Sequence, residues 1–241
     1  MSHIGSEIGE RQDRSPAFWL LHIGLPAALL TAALAAGYAG GAVKQIVLDS
    51  NTSIQETVTG ALTVAAALIV AFALARPAQP LDWKLKVWLA LFVAAMIFFA
   101  GEDLNWGQYY FDRTPSDYFL ENNREQESNL HNMWPLLFNR LPRAIIELWL
   151  VIACILVPLG WRFPVRLTQS FVPDVLWPDR RLVFAAVLVV VTRMIRQTSS
   201  LVTNPDNWLL LMRHSEVEEL MIACCLFLYA LMLRERLVTS P

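Results

Sequence analysis

Six apolar runs, at about 17–38, 57–75, 85–100, 144–159, 182–195 and 217–233, constrain this chain more than any other feature. A helix needs roughly 20 mostly apolar residues to cross a bilayer, so the third, fourth and fifth runs must take in polar residues at their ends. Hydrophobic residues make up 56% of the 241 and charged ones 17%, below the roughly 25% of a soluble domain. Trp19, Trp83, Trp88, Trp106, Trp149 and Trp161 recur near the ends of the runs, as in an interfacial aromatic belt. The expected fold is all-α: a polytopic membrane helical bundle of about six transmembrane helices plus a short interfacial helix. A net charge of −2 excludes a nucleic-acid binder, which needs a basic face. The lipid bilayer is the expected partner.

Residues 1–16 read as a polar cytoplasmic leader, 17–236 as a single integral membrane domain with a polar loop at 101–142, and 237–241 as a tail. Ala33-Leu34-Ala35 imitates a signal cleavage site, but the long leader and long apolar run predict an uncleaved span. In that span Ala32, Ala36 and Gly40, and Ala33, Gly37 and Gly41, repeat every four residues. Small residues so placed let a neighbouring helix approach closely. Cys154, Cys224 and Cys225 fall in apolar runs without metal-type spacing and read as small buried hydrophobes. His22 reads as a hydrogen-bonded helix contact. Asn204-Pro205-Asp206-Asn207 is a turn signal before the last span.

Six spans put eleven Lys and Arg on the leader, the second and fourth loops and the tail, against six on the opposite face. That bias predicts both termini in the cytoplasm, and the expected location is a bacterial inner membrane. The same topology brings Glu102, Asp103, Glu127, His131, Glu147, Arg193, Arg196, His214, Glu216, Glu218 and Glu219 to one level, at the non-cytoplasmic face. Ionisable residues at the mouth of spans are costly, which makes this cluster the candidate site.

Within it, Glu121 to Met133 lacks Gly and Pro and ends before Pro135, which predicts the short interfacial helix. On such a helix Glu127 and His131, four apart, face the same way. Glu102 and Trp106 share a face if the third span continues one turn. His214 and Glu218 repeat the spacing. Glu147 lies a turn inside the fourth span. A carboxylate in hydrocarbon costs roughly 2.5–3.5 kcal/mol, so Arg143, Arg193 or Arg196 should pair with it.

Carboxylates and histidine from several helices form the ligand sets of zinc and di-iron sites. Glu102, Glu127, His131 and Glu218, or Glu219 in its place, are the candidate ligands, and zinc or iron the candidate metal. Without a metal, Glu102 or Asp103 would serve as acid or base and His131 as proton shuttle. Trp106 and Asn129 would line the substrate, and Arg193 and Arg196 would clamp an anionic head group. The structural alternative is that these acids and arginines only cross-link helices.

Gly101-Glu102-Asp103-Leu104-Asn105-Trp106-Gly107-Gln108, Thr114-Pro115 and Glu125-Gln126-Glu127-Ser128-Asn129-Leu130-His131-Asn132 together resemble a group of bacterial multispan membrane proteins to which no activity is attached. The group's pattern is Gly-Glu-Glu/Asp-x-x-Trp-Gly-Gln, then Thr-Pro, then Gln-x-Glu-x-Asn-Leu-His-Asn. Here Gln126 abuts Glu127 where that pattern has a residue between them. The resemblance spans about thirty residues and implies a family rather than a reaction. A weaker likeness is to alkaline-ceramidase-like lipid hydrolases, which bind zinc near one membrane face through three histidines; here His214 and Glu218 stand where those have paired histidines. The functional expectation is a metal-dependent enzyme acting on a lipid or lipid-linked substrate. The alternatives are an accessory subunit or assembly factor of a larger membrane complex, contacting pigment, quinone or lipid, and a proton-coupled carrier.

Overall fold

The computed structural model describes residues 15–161, 163–168, 170–199, 201 and 213–239. The leader through residue 14, Arg162, the turn at 204–207 and the last two residues of the tail lie outside them. The described chain is all-α. Helix α1 covers Pro16–Ala39, with Ser15 accepting from the Phe18 N–H at its start. It ends where Gly40 and Gly41 take φ of 63° and 52°, a left-handed pair that glycine adopts without steric cost. Helix α2 (41–49) leads to α3 (Ile54–Ala75), capped by Ser53, and α4 (Trp83–Asp103), capped by Asp82. Within the polar loop lies α5 (Asp117–Asn122), followed by α6 (136–156), α7 (Phe163–Thr168) and α8 (Val183–Ser199). Last is α9 (His214–Arg234), whose helical path continues through 239.

Three segments are long and apolar enough to cross a membrane: Pro16–Ala39, Gly41–Ala75 and Trp83–Asp103. The later long helices α6, α8 and α9 carry arginines and glutamates in the turns nearest the polar end, which lowers their hydropathy. Along the chain the six long helices alternate in direction, so the end of α1, the start of α3, the end of α4, the start of α6, the end of α8 and the start of α9 share one end.

Helix α9 is the axis. Leu220, Met221, Ile222, Ala223, Cys224, Cys225, Leu228, Ala230, Met232 and Leu233 are buried on every side of it, as expected of a helix apolar all round. Helices α3 and α8 lie against it, α4 outside α3 and α6 beside α8. The small face of α1 packs there too: Ala33 and Ala36 cluster with Leu48 and Val217. The three cysteines are buried and free, and His22 is buried with Nδ1 at 3.3 Å from the Phe18 carbonyl. Outward faces carry Leu68, Phe72, Leu91, Ile97, Ile145 and Leu148, all exposed, a surface that suits lipid.

One expected element differs. The loop helix is Asp117–Asn122, and 123–134 runs in turns. Asn123 is the reason: its side-chain amide donates to the Glu127 and Asn129 carbonyls at 2.8 and 3.0 Å, and its oxygen accepts from the Glu125 N–H at 2.9 Å. Such local bonds compete with the helix, and Gln126 takes a φ of 57°.

Truncating Leu228 (fully buried) to Ala should cost about 2–5 kcal/mol, whereas Leu68→Ala on the outward face should cost under about 0.5 kcal/mol. Thermal unfolding of both variants in detergent tests the inside-outside assignment of the bundle.

Candidate functional site

The shared polar end holds three linked groups. The first is an ion network around Glu218, which is fully buried in the first turn and a half of α9. Arg196 from α8 reaches its carboxylate at 2.9 Å, Arg193 at 3.5 Å and Arg143 from α6 at 3.7 Å. Arg193 also pairs with Glu147 at 3.4 Å, which supplies the partner that Glu147 requires, and Arg143 pairs with Glu219. Removing one partner from a buried network leaves an uncompensated charge.

The second group organises the loop. The Glu102 carboxylate accepts the Leu130 and His131 N–H groups at 2.7 and 2.8 Å, and the Trp106 indole N–H at 2.8 Å. His131 Nδ1 lies 3.5 Å from it. Trp106 reaches Glu102 through a left-handed turn rather than another turn of helix: Asn105, Trp106 and Gly107 have φ of 49°, 51° and 77°. The indole then lies over Gly101, where a Cβ would stand 2.8 Å from the ring. Glu127 accepts from the Tyr109 hydroxyl at 2.9 Å and the Asn129 and Asn132 amides at 2.9 and 3.1 Å. Asn129 is fully buried and also bonds Asn105 and Asn123. Burial and the Glu127 carboxylate push Tyr109 up to about 12, so it serves as a donor. Glu102, His131 and Glu127 thus share the loop network, and Glu218 lies in the ion network on α9.

The third group is a carboxylate triad. Asp103 from the end of α4 and Glu216 and Glu219 from the start of α9 each bring an oxygen within 4.8 Å of the others, all partly buried. Among the described residues this is the group of acids, histidines and cysteines that could hold a metal ion. Arg213 holds Glu216 at 3.3 Å and Glu56 at 3.6 Å. The buried oxygens Asp103 Oδ2 and Glu56 Oε2 have no hydrogen-bond partner. All-oxygen donors suit a hard divalent cation such as magnesium, calcium or manganese.

The sequence reading placed Asp103, Glu216 and Glu219 at this level without joining them, and it passed over Glu56. The one available signal for Glu56 was Ser53-Ile54-Gln55-Glu56, a helix-start pattern; Ser53 Oγ accepts the Glu56 N–H at 3.1 Å. The side chain turns across to Arg213, a contact no local pattern reports.

No protein-family model, curated protein or solved structure matches this chain.

Glu218→Ala leaves three guanidinium groups facing an apolar helix and should lower stability by about 3–5 kcal/mol; an unchanged unfolding curve in detergent would remove the network from the stabilising interactions. Burial opposes charge on His131, but the Glu102 carboxylate outweighs it and raises the imidazole above 6.5. A raised folded value means this stabilisation is complete below pH 6.5 and is lost as pH rises through the folded value. The difference in unfolding midpoint between the native chain and His131→Asn should therefore be largest at pH 6 and shrink by pH 8.

Proposed function

We propose that the protein is an integral membrane protein that binds a divalent cation between Asp103, Glu216 and Glu219 and uses it on a lipid or lipid-linked substrate. The observation that carries this reading is the convergence of three carboxylate oxygens within 4.8 Å, with Asp103 Oδ2 buried and unpartnered. Anions this close repel unless a cation or shared protons lie among them. A cation there would polarise an ester or phosphoryl oxygen or acidify a water. Arg143 and Arg213 hold Glu219 and Glu216 in place from outside.

His131, anchored to Glu102, is the proton carrier in this reading. Arg193 and Arg196, each about a third exposed, keep N–H groups beyond those given to Glu147 and Glu218 for an anionic head group. Trp106, Tyr110, Phe111 and Trp134 form an exposed aromatic rim, which favours a substrate arriving from the membrane interface. Zinc or iron would need His131 brought into the ligand set; an all-oxygen set favours harder ions. Six spans, a bacterial inner membrane, cytoplasmic termini and membership of the multispan group resembling the two loop blocks complete the reading.

A second reading, an accessory or assembly subunit, is favoured by one observation. Glu102 and Glu127, one acid from each block, give all their oxygens to donors of this chain. They would then shape a loop for a partner subunit rather than react.

Metal analysis of protein purified in detergent without chelator separates the two. The cation reading expects near-stoichiometric divalent metal, lost at least tenfold in Asp103→Asn with Glu219→Gln and retained in His131→Ala. Folded protein free of metal would sink it and leave the accessory role.

A further inference from the structure

The other end of the bundle holds a cavity of about 520 Å³, lined by Val157, Pro158, Asp174, Trp177, Arg180 and Arg236, among others. Small-molecule sites fall in this size range. Two of its donors are unspent. Trp177 Nε1 is buried and has no hydrogen-bond partner; an unpaired buried donor carries a standing cost that an acceptor would remove once the indole turns toward the cavity. Arg180 is exposed and gives only its Nε, at 3.4 Å, to the Pro158 carbonyl. Among the described residues no carboxylate lies within ion-pair distance of it.

Asp179, the nearest candidate by sequence, is already committed. It pairs with Arg181 at 2.8 Å and Arg236 at 2.9 Å, and Arg181 also holds Glu235. Those guanidinium groups hold the Asp179 carboxyl below its usual range, burial notwithstanding, so it stays ionised and neutralised. The second Arg236 nitrogen donates to the Val175 and Trp177 carbonyls at 2.8 and 2.7 Å. This fixes the backbone that carries the free indole. Asp174 is the opposing charge on the rim, exposed and placed to accept from a hydroxyl or amine.

The surroundings are basic. Contacts of Ala78 with Leu237, of Lys84 with Ser170 and of Trp88 with Phe171 bring the end of α3 and the start of α4 to this end. Arg76, Lys84 and Lys86 therefore stand at the same level as Arg180, Arg181 and Arg236. Basic clusters at a membrane surface attract anionic head groups at about 1 kcal/mol per residue near the surface.

We propose that this cavity binds a phosphate anion, carried by a lipid head group or free in solution, through the Trp177 indole N–H and the Arg180 guanidinium. Indole and guanidinium bind oxygens of one phosphate, and Asp174 receives a hydroxyl of an esterified head group. The site is separate from the carboxylate triad and independent of any cation there.

The test uses the full chain in detergent, with lipid adducts counted by native mass spectrometry. Probes are phosphatidylglycerol, a diacylglycerol with the same acyl chains, and inorganic phosphate. The native chain should take up phosphatidylglycerol at least tenfold more readily than diacylglycerol. Arg180→Gln and Trp177→Phe, which keep bulk while removing charge or N–H, should each lower that uptake about fivefold. Neither side chain caps a helix, and unchanged unfolding midpoints would confirm intact folds. Displacement of the lipid by millimolar inorganic phosphate assigns the site to the phosphate group alone; no displacement assigns it to the lipid phosphodiester. Equal uptake of the two lipids, or full phosphatidylglycerol uptake by the folded double variant, overturns the proposal.

Discussion

A carboxylate with no exposure, sunk in an apolar helix, is the constraint on which the polar end depends. Glu218 can be charged there only because Arg143, Arg193 and Arg196 reach it from two other helices. Apolar helix faces slide past one another with little directional preference in lipid, where packing and polar contacts decide association. A buried ion network adds direction. Arg193 and Arg196 stand three apart on α8, and Arg143 and Glu147 four apart on α6, so each helix offers one face to α9 at one height. The desolvation of these charges offsets much of their attraction; the network's main effect is register.

Register at Glu218 determines what the adjacent residues meet. Glu219 is the next residue on α9, and Glu216 lies two residues back. With Glu218 turned to the arginines, these two are left facing the end of α4 and Asp103. Glu102, the preceding residue on α4, points instead to the loop, where four donors converge on it. Adjacent acids on each helix therefore face different ways: Glu102 turns to the loop and Glu218 to three arginines, while Asp103 and Glu219 face one another, with Arg143 also reaching Glu219.

Much of this was legible in the chain. Hydropathy marked the long helices, and their alternation was enough to bring the acids and arginines to one end, because each helix must return across the same thickness. The four-residue stripe of Ala33 and Gly37 pointed to close packing, and Glu147 to an arginine partner. Division of labour between neighbours was not legible. Glu218 and Glu219 differ by one step of about 100° around a helix, and nothing in the local sequence says which step faces Asp103. The loop misled for a related reason. Residues 121–133 contain no helix breaker, yet Asn123 can satisfy the backbone by itself, and the Glu102 carboxylate, well outside the stretch, takes the Leu130 and His131 N–H groups.

The two ends of the bundle meet the same problem with opposite remainders. Each must bury polar groups where lipid offers no partners, and each satisfies most of them internally: Glu102, Glu127 and Glu218 at one end, Asp179, Arg181 and Arg236 at the other. What is left over differs in sign. At the first end the remainder is mainly acceptor oxygen, from Asp103, Glu56, Glu147, Glu218 and the Gln55 amide, whose N–H is also unpaired; at the second it is donor hydrogen, from Trp177 and Arg180. Groups spent on the fold have no capacity left for a ligand, however chemical their residue type looks in the sequence. Unspent groups do have it. By that measure Glu102 and Glu127 of the two loop blocks are architecture, and the capacity to bind a cation lies in Asp103 and the acids it faces.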